Sequence, residues 1–574
     1  MFHLKPYKFL ILLLAALTLP ALGSGFQPVH SRHGMVVSVH PEASQAGVEI
    51  LKAGGNAVDA ATAVGFALAV VHPAAGNLGG GGFLLLRTAD GTVHFLDYRE
   101  KAPAATSEKM YLDAHGNVTD DSQFGYRAIS VPGSVAGMVY AQRKWGRLPL
   151  ARVMAPAIRL ARRGVVLTWE EAAMLRDREL SRFPESERIF HRGGRLYGAG
   201  ELFQQPELAR TLERIAHDPG TFYHGSMARE LAAAIRKGGG LVTVQDLAHY
   251  EVKERQPVRG SYRGLEIISA PPPSSGGIVL LEALNILEGY DLKPLGRTSA
   301  AEVHLVAEAY RRAFFDRAEF LGDPDFAHIP VAQLLDKKYA ALWRESINPE
   351  KATPSGELKR PSFGELDRSA ALKTPYVGPE PEHTTHYSVV DGEGNAVAVT
   401  TTLNDSFGSR VTAEGLGFLL NDEMDDFTSK PGTPNMYGLV QGQANAIAPG
   451  KRPLSTMTPT IVLKGGKLFM VLGSPGGGTI PTTVANVLLN VVDFGVDIQR
   501  AANAPRFHHQ WLPDELRVEA WQFSPDTLKL LQQMGYKLKE AGSWGDAEAI
   551  LVDPATGERT GASDGRNGGK AVGY

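Results

Sequence analysis

Hydrophobic positions divide the chain into a helix-rich middle and a strand-rich end. Between Gly133 and Ser346 most apolar residues recur at helical spacing, in capped segments such as "GSMARELAAAIRKGGG". After Thr384 the runs "YSVVD" and "AVAVTTTL" flank the turn "GEGN", and both runs are apolar on two faces. Such runs are typical of strands that are covered on both sides. The pattern predicts helices packed around a buried sheet, with a β-hairpin opening the last third of the chain.

The first 100 residues add two helices and a second hairpin to this picture. The Ala-rich stretch after "VVSVH" is broken at Gly54-Gly55, which suits the end of one helix and the start of the next. Further on, "GGGGFLLLR" and "TVHFLDYRE" have the pattern of two strands, the second of which ends in charged residues. We expect this second hairpin to enter the core sheet.

A Pro-rich polar segment separates the helix-rich and strand-rich parts. From about Asn348 to His383 the chain carries many prolines and charges and little apolar periodicity. We therefore expect an exposed or mobile linker over 348–383. It stops abruptly at Thr384, where the first strand of the hairpin begins.

The first 23 residues have the pattern of a secretory signal peptide. Two lysines precede a run from Phe9 to Leu19 that contains one polar residue, and "ALG" at 21–23 is a small-residue cleavage pattern. An uncleaved membrane anchor is the alternative, but the run falls well short of the ~20 residues that a spanning helix needs. We expect removal of 1–23, cleavage near Ser24, and a periplasmic or secreted protein with no membrane attachment afterwards.

Composition narrows the chemistry that the chain can perform. With 574 residues, 43% of them hydrophobic, it can bury a large core, and its net charge of −3 offers no basic surface for nucleic acid. The sequence contains no cysteine, which excludes disulfides, thiolate nucleophiles and Cys-ligated zinc. Any nucleophile must therefore be Ser, Thr, Lys or a carboxylate, and we expect a small-molecule substrate.

Thr384 is a candidate nucleophile because of where it lies. A threonine hydroxyl needs a base to take its proton, and a threonine at the N-terminus of a chain carries that base in its own α-amine. The reference pKa of the amine, about 8, suits proton transfer near neutral pH. Self-cleavage, in which the Thr384 hydroxyl attacks the His383 carbonyl, would expose such an N-terminus. The alternative is that "HTTHYS" is only a β-branched strand opening.

Two further clusters have both a functional and a simpler interpretation. "NDEMDDF" places Glu423 and Asp426 after a buried strand, where they could hold a cationic amine or form a solvated acidic turn. "SPGGG" places Gly476 and Gly477 at the end of another strand, where their amides could form an oxyanion hole or a tight turn.

Possible donors to a carboxylate come from two other motifs. "RPLSTMTPT" offers the hydroxyls of Ser455 and Thr456, and "LDYRE" offers Arg99, whose planar guanidinium matches a carboxylate. Taken singly, most such residues serve as caps or in surface pairs.

Together these residues resemble the γ-glutamyltranspeptidases. "TTHYSVVD", "GNAVAVT", "LND", "MDDF", "PNMYGLV", "KRPLS", "SPGG", "APRFHHQWLPDELRVE" and "GASD" follow one another in family order, after "GGNAVDAA", "DYRE" and "VPGSVAG". The resemblance covers nearly all of the chain after the signal peptide. It implies an N-terminal-nucleophile hydrolase of the α+β class with a four-layer αββα sandwich. Such a protein is made as a proenzyme that cleaves itself into a large chain, 24–383, and a small chain, 384–574, which remain together as a heterodimer.

The resemblance also implies a role for each candidate residue. Thr384 would be the nucleophile and new N-terminus, Thr402 would orient its hydroxyl, and the amides of Gly476 and Gly477 would stabilise the oxyanion. The implied substrate-binding residues are a clamp on the α-carboxylate (Arg99, Ser455, Thr456), receptors of the α-amino group (Asn404, Glu423, Asp426) and a lid over the pocket (Tyr437).

The reaction implied by the resemblance is ping-pong. Thr384 attacks the γ-glutamyl amide of glutathione or a related compound, the amine leaves, and the γ-glutamyl ester passes to water or to an amino acid or peptide acceptor. The resemblance implies no metal and no organic cofactor. The sequence departs from the family pattern in two places: Thr456 stands where Ser is usual, and Gly478-Thr479 stands where Ser-Arg is usual. The methyl group of Thr456 could tighten or tilt the pocket.

Two other functions stay open at this point. An amidase of the cephalosporin-acylase kind would take glutaryl amides, which lack the α-amino group. Glu423 and Asp426 would then face no cation, at a cost on the order of several kcal/mol. A non-catalytic exported protein that binds γ-glutamyl compounds would keep the chain uncut before Thr384.

Two further interpretations of single motifs are weaker. "GASDG" matches the nucleophile elbow of Ser-His-Asp hydrolases, but neither a helix pattern nor a histidine follows it. The adjacent His508 and His509 would point opposite ways on an extended segment, which favours structural hydrogen bonding over a metal site with Asp514.

Overall fold

A computed structural model describes residues 27–367 and 384–574. The predicted signal peptide and His383 lie outside these residues, as does the end of the Pro-rich segment. The described beginning of that segment, 348–367, packs onto the protein. There the Ser355 hydroxyl donates a hydrogen bond to the carbonyl of Trp511 at 2.6 Å, and Leu366 is buried.

Two antiparallel sheets of seven strands each lie at the centre of the described structure. The strands in chain order are β1 (Val29–Ser31), β2 (Met35–Ser38), β3 (Gly81–Arg87), β4 (Val93–Asp97), β5 (Val165–Val166), β6 (Leu202–Phe203), β7 (Lys253–Arg255), β8 (Val258–Tyr262), β9 (Leu265–Ser269), β10 (Thr385–Val390), β11 (Ala396–Thr402), β12 (Thr460–Lys464), β13 (Lys467–Gly473), β14 (Phe507–His508), β15 (Leu516–Glu519), β16 (Leu538–Ala541), β17 (Glu548–Val552), β18 (Arg559–Ser563) and β19 (Lys570–Gly573). The first sheet has the order β19-β2-β10-β11-β3-β4-β7, and the second sheet has the order β1-β18-β17-β13-β12-β9-β8. Two small sheets, β14-β15-β16 and β5-β6, are formed by the remaining strands.

Helices connect and cover these sheets. They are α1 (Pro41–Lys52), α2 (Ala57–Val71), α3 (Ser134–Trp145), α4 (Leu150–Arg163), α5 (Trp169–Met174), α6 (Pro184–Phe190), α7 (Pro206–His217), α8 (Thr221–His224), α9 (Ser226–Lys237), α10 (Val244–Ala248), α11 (Gly276–Leu287), α12 (Ala300–Phe320), α13 (Val331–Leu334), α14 (Lys337–Glu345), α15 (Ile480–Val492), α16 (Ile498–Ala502) and α17 (Pro525–Gln533). The predicted break at Gly54-Gly55 is confirmed, because α1 ends at Lys52 and α2 begins at Ala57. Within the described ranges, no helix has the length and apolar character that crossing a membrane requires.

The two sheets face each other, and helices cover both outer faces. Along β10, Val390 packs between the sheets, whereas Tyr387 and Val389 pack in the helical layer that contains α2. On the far side, α11 and α15 pack against the second sheet, and α12 packs on α11. Both faces of each sheet are therefore buried, which explains why the strands are apolar on two faces. The structure confirms the predicted four-layer αββα sandwich of the α+β class.

The predicted hairpin after Thr384 is confirmed and lies in the middle of the first sheet. β10 and β11 are adjacent, with Thr385 opposite Thr401. Side chains alternate along a strand, so Thr384 points to the same side as His386. That side faces the second sheet, because the His386 ring lies against Gly473 at the end of β13. The fold thus directs the candidate nucleophile into the space between the sheets, where β13 ends.

Candidate active site

Thr384 and Thr402 lie side by side at the ends of paired strands. Thr384 immediately precedes β10 and is 8% exposed, and its Oγ1 lies 3.3 Å from Oγ1 of Thr402, the last residue of β11. The Thr402 oxygen accepts a hydrogen bond from the amide of Asn404 at 2.9 Å. The Thr402 oxygen accepts this bond through one of its lone pairs. Its hydroxyl hydrogen can therefore still form a hydrogen bond to Oγ1 of Thr384. Strand pairing therefore orients the Thr384 hydroxyl.

A glycine turn follows β13 and lines the same two cavities as Thr384. The carbonyl of Gly476 accepts hydrogen bonds from the amide and the hydroxyl of Thr479, at 2.9 and 2.8 Å. The C=O and N–H of a trans peptide point in opposite directions, so the amide of Gly477 points away from Thr479. Among the described residues, neither the Gly476 amide nor the Gly477 amide has a hydrogen-bond acceptor. Two adjacent donors left open in this way are what an oxyanion hole needs.

The backbone of this turn requires glycine at both positions. Gly476 has a φ of 134° and Gly477 a φ of 51°, in the region that favours glycine. A Cβ on Gly477 would also lie 2.6 Å from the ring of Tyr437. Glycine thus lets the predicted lid residue lie directly on the turn.

Tyr437 covers Asn404 and closes the site. Its hydroxyl lies 2.7 Å from the carbonyl oxygen and 2.9 Å from Oδ1 of Asn404, and it donates to this pair of acceptors. Asn404 has a φ of 84°, which asparagine adopts more readily than most residues. Its Nδ2 donates to the carbonyl of Asp422 at 3.1 Å. Tyr437, the predicted lid residue, thus lies over the site and holds the side chain of Asn404 in place.

The two predicted clamp hydroxyls lie beside the glycine turn. Thr456 Oγ1 donates a hydrogen bond to the carbonyl of Gly477 at 2.6 Å. Ser455 Oγ accepts a hydrogen bond from the amide of Met457 at 3.1 Å, so its own proton can be donated to a ligand. The clamp and the oxyanion turn are therefore connected through Thr456.

Arg99 contacts the two carboxylates that were predicted to receive the α-amino group. It follows β4, is buried, and donates hydrogen bonds to the carboxylates of Glu423 and Asp426 and to the carbonyl of Pro453. Sequence reasoning placed these groups at opposite ends of a substrate and did not predict that they pair. A zwitterionic ligand could replace the pairing with two ion pairs, one from its carboxylate to Arg99 and one from its amine to the acids.

Burial changes the proton affinity of every acid in this cluster. Desolvation raises the pKa of Glu423 well above its usual range, although the charge of Arg99 opposes the shift. Desolvation also raises the pKa of Asp426, and it raises that of Glu100, 3.5 Å from Arg99, to about 7. Burial alone would lower the pKa of Arg99, but the three acids outweigh it and raise the pKa. Burial therefore favours the protonated form of each of these three acids, and the charge of Arg99 opposes that effect.

One closed pocket contains most of the predicted site. Its volume of about 20 Å³ has room for roughly one water molecule. Thr384, Thr402 and Gly477 line it. So do all seven predicted substrate-binding residues: Arg99, Asn404, Glu423, Asp426, Tyr437, Ser455 and Thr456. Thr384 also lines a groove of about 1260 Å³, together with Gly476. The candidate nucleophile lies between a small pocket and a much larger groove.

Five residues that line the pocket were not predicted from the sequence: Arg317, Leu439, Leu454, Met457 and Ile480. Arg317 of α12 and Leu439 of the lid segment both line it. Arg317 is one of three arginines on a long helix, and the helical period alone does not distinguish it from the other two. Leu439 lies within the motif "PNMYGLV" but was not singled out, and Arg317 lies in no quoted motif.

The two adjacent histidines do not meet at a common ligand. His508 contacts the hydroxyl of Thr482 and Oε1 of Gln510, at 2.9 and 2.8 Å, whereas His509 lies 3.5 Å from Asp514. Over 27–367 and 384–574, no group of three or more His, Asp or Glu residues is arranged to hold a metal ion. Structural hydrogen bonding accounts for the positions of both rings.

Comparison with known proteins gives consistent matches, most of them over nearly the whole chain. Residues 43–574 match the family model described as γ-glutamyltranspeptidase. The glutathione hydrolase proenzyme of Pseudomonas sp. (strain A14) is 50% identical over 564 residues, which cover 95% of this chain and 95% of that protein. The structure is similar to that of a cephalosporin acylase from Bacillus halodurans, with a TM-score of 0.83, 29% identity, and coverage of 97% of this chain and 98% of that one. It is also similar to a Helicobacter pylori γ-glutamyltranspeptidase chain, with a TM-score of 0.56, 44% identity, and coverage of 58% and 96%.

Proposed function

The chain belongs to the γ-glutamyltranspeptidase family, and we propose that it cleaves the γ-glutamyl amide of glutathione and related compounds with Thr384 as the nucleophile. One observation supports this proposal above the others. The Thr384 hydroxyl lies beside Thr402 and the glycine turn, at the edge of a pocket lined by both a buried guanidinium and buried carboxyl groups. A γ-glutamyl group carries a positive α-amino group and a negative α-carboxylate at the end remote from its amide.

The proenzyme would first cleave itself. Thr384 Oγ1 attacks the carbonyl carbon of His383, the C–N bond to Thr384 breaks, and the acyl group moves from nitrogen to oxygen as an ester. Water then hydrolyses the ester, which leaves a new carboxylate on His383 and a free amine on Thr384. The products are the proposed large chain, 24–383, and small chain, 384–574. The proenzyme name of the Pseudomonas relative supports a cleaved product, and the two chains would stay together because strands from both form each central sheet.

Catalysis would then use the geometry that holds the Thr384 hydroxyl. The free α-amine accepts the hydroxyl proton as Oγ1 attacks the γ-carbonyl carbon, and Thr402 donates a hydrogen bond to the attacking oxygen. The amides of Gly476 and Gly477 stabilise the negative oxygen of the tetrahedral intermediate. The amine then returns the proton to the leaving nitrogen. Water or an acceptor amine cleaves the resulting ester by the same steps in reverse.

Recognition of the γ-glutamyl group would come from the closed pocket. Its α-carboxylate would face Arg99 and the hydroxyls of Ser455 and Thr456, and its α-amino group would face Asn404, Glu423 and Asp426. The leaving amine and the acceptor would use the groove on the other side of Thr384, which is open enough for a dipeptide. Substrate entry requires Tyr437 to move, because the closed pocket holds only about one water.

We also propose that the protein acts outside the cytoplasm. The support is the sequence pattern of 1–23, which has the lysines, apolar run and small-residue site of a signal peptide. Cleavage near Ser24 is the corresponding expectation. N-terminal sequencing of the large chain from the native host tests it directly.

A glutaryl amidase is the competing function, and similarity to the cephalosporin acylase structure supports it. The test compares γ-glutamyl and glutaryl p-nitroanilides as substrates of the purified protein. The buried acids predict a preference of at least tenfold in kcat/KM for the γ-glutamyl compound, because the glutaryl compound leaves them without a cation. Equal or faster turnover of the glutaryl compound would contradict the proposed function.

Two neighbouring threonines provide a matched pair of variants for the same assay. Thr384→Val should abolish activity with both anilides. Thr385→Val should retain it, because the Thr385 hydroxyl is buried, lies on the opposite face of the strand, and has no hydrogen-bond partner among the described residues. Full activity in Thr384→Val would remove Thr384 from the mechanism.

A further inference from the structure

The pocket contains a second buried arginine that the proposed mechanism does not use. Arg317 lies on α12, is 2% exposed, and lines the same closed pocket as Arg99 and Thr384. Two guanidinium groups therefore contribute to one small cavity. The two guanidinium groups differ in the hydrogen-bond and ion-pair partners that the protein already gives them.

Arg99 has its partners within the protein, and Arg317 has almost none. Arg99 donates to two carboxylates and to the carbonyl of Pro453. In the described part of the chain, the one hydrogen bond of the Arg317 side chain runs from Nε to Oγ of Ser275, at 3.0 Å. No carboxylate of the described residues lies within ion-pair distance of its terminal nitrogens. Because Arg317 lines the pocket and its terminal nitrogens form no ion pair with the described residues, they are available to an acceptor on a ligand.

Arg317 keeps its charge despite this environment. Burial lowers its pKa to about 10, and the charge of Asp426 opposes the shift. The guanidinium is therefore still protonated near neutral pH. The pocket thus presents a positive charge that no described carboxylate neutralises by direct contact.

The single hydrogen bond of Arg317 directs it toward the predicted carboxylate clamp. Ser275, its partner, donates two hydrogen bonds to the carbonyl of Ser455, from its amide at 2.8 Å and from its hydroxyl at 2.6 Å. Arg317 is therefore positioned through one residue against the segment that carries Ser455 and Thr456. Arg317 and these two hydroxyls line one small pocket, so an anion held by the hydroxyls would share that pocket with the guanidinium.

We propose that Arg317 is a specificity-determining residue that selects substrates with a carboxylate at the α-position of the γ-glutamyl group. The inference rests on the proposed function, since it concerns the same pocket. Arg99 is already paired with acids of the protein, and Arg317 supplies a guanidinium whose terminal nitrogens remain available to an incoming carboxylate. Arg317 acts on binding and not on the reacting atoms.

Three p-nitroanilides separate the charges that the pocket recognises. The γ-glutamyl compound carries both the carboxylate and the amine, the glutaryl compound carries only the carboxylate, and the 4-aminobutanoyl compound carries only the amine. Each is assayed with the self-cleaved wild-type enzyme and with Arg317→Gln. A charge-assisted hydrogen bond contributes about 1.5–3 kcal/mol, so we expect kcat/KM to fall roughly 10- to 100-fold for the two carboxylate-bearing substrates, mainly through KM. For the 4-aminobutanoyl compound we expect a change of less than about threefold by the same reasoning.

Two additional variants distinguish specificity from structural damage. Arg317→Lys keeps the charge and should restore most of the preference for a carboxylate. Ser275→Ala keeps the charge but removes its anchor, and it should weaken the preference less than Arg317→Gln does. Should Arg317→Gln fail to fold or to cleave itself, Arg317→Met, which keeps most of the apolar length, takes its place. If Arg317→Lys also fails to fold or to cleave itself, Arg317 has a structural role and the inference is overturned.

The outcomes also separate this inference from the proposed function. An equal loss with all three substrates in Arg317→Gln, or no loss with any of them, would overturn the specificity role and leave the proposed function intact. A wild-type enzyme that prefers the glutaryl compound would contradict the proposed function. In that case the role of Arg317 is still decided by comparing the glutaryl and 4-aminobutanoyl compounds.

Discussion

The hydroxyl of Thr456 donates a 2.6 Å hydrogen bond to the carbonyl of Gly477. This contact joins the predicted carboxylate clamp to the turn whose amides are predicted to stabilise the oxyanion. The residues predicted to bind the α-carboxylate and the turn predicted to stabilise the oxyanion are therefore held together by one hydrogen bond. The same contact explains why residue 456 needs a hydroxyl even if that hydroxyl does not touch the substrate.

Removal of this hydrogen bond should slow catalysis. Thr456→Val keeps the shape of the side chain but cannot donate, so the glycine turn loses one of its supports. A neutral hydrogen bond contributes about 0.5–1.5 kcal/mol, which predicts a roughly 3- to 10-fold fall in kcat with γ-glutamyl p-nitroanilide. Thr456→Ser retains the donor and serves as the control, with kcat expected within about twofold of wild type by the same principle. An unchanged kcat in Thr456→Val would show that the contact does not support the turn.

The lid should depend on the hydroxyl of Tyr437. Tyr437→Phe removes the hydrogen bond to Asn404 while the ring still packs on Gly477. We expect KM for γ-glutamyl p-nitroanilide to rise about 3- to 10-fold, because Asn404 loses the group that holds its side chain. Steady-state kinetics of the two enzymes measure this. A fall in kcat at constant KM would instead assign the hydroxyl to the chemical step.

Gly478 makes room for a residue that holds the lid. A Cβ at this position would lie 2.7 Å from Oε1 of Gln510, and Gln510 Nε2 donates to the carbonyl of Tyr437 at 3.1 Å. Gly478→Ser, which introduces the residue usual in the family, should displace Gln510 and lower the free energy of unfolding by roughly 1–2 kcal/mol through overpacking. Gly356→Ala is the control, because a Cβ there meets no atom within 4 Å. Equal effects of the two substitutions, measured by thermal denaturation, would contradict this account of the departure.

His386 should make the proenzyme less stable in acid. Its ring is fully buried between the sheets, near the hydroxyls of Thr400 and Ser388, and burial lowers its pKa to about 3. In the unfolded chain the pKa is about 6.5, so below that pH the unfolded chain binds a proton that the folded chain excludes. The stabilising contribution is fully present above about pH 6.5 and is lost as the pH falls toward 3. Between pH 7 and pH 5 the loss is about 2 kcal/mol.

Urea unfolding of Thr384→Ala with and without His386→Gln isolates this group from the other titrating residues. The Thr384→Ala background keeps the chain in one piece. The destabilisation caused by His386→Gln should be about 2 kcal/mol smaller at pH 5 than at pH 7. The same destabilisation at both pH values would show that His386 titrates alike in the folded and unfolded chains.

The local pattern of apolar and polar residues predicted the central hairpin but not all of the outer strands of the sheets. β10 and β11 are apolar on both faces and are joined by a clear turn, so the hairpin followed from the sequence. β8 and β9, in contrast, are five residues each and lie in a part of the chain where most segments have helical spacing. Runs of this length do not distinguish a strand from a helix by periodicity. They become strands because β9 pairs with β12, almost two hundred residues later.

The site shows the same division between local and long-range information. The resemblance of the motifs to a family predicted most of the residues that line the pocket, and the structure brings these residues together. The pairing of Arg99 with Glu423 and Asp426 was not predicted, because it depends on how the end of β4 meets a turn more than 300 residues away. Arg317 was missed for a related reason. Helical periodicity predicts which face of α12 is buried but not that this arginine faces a cavity lined by Thr384.

The central claim is that Thr384 becomes the N-terminus of a separate chain and acts as its nucleophile. The most direct test is N-terminal sequencing and intact mass of every chain in the purified wild-type protein, with Thr384→Ala alongside. We predict a chain that begins Thr-Thr-His-Tyr-Ser in the wild type and a single uncut chain in the variant. A wild-type protein that remains continuous through His383 and Thr384 while it hydrolyses γ-glutamyl amides would contradict the account.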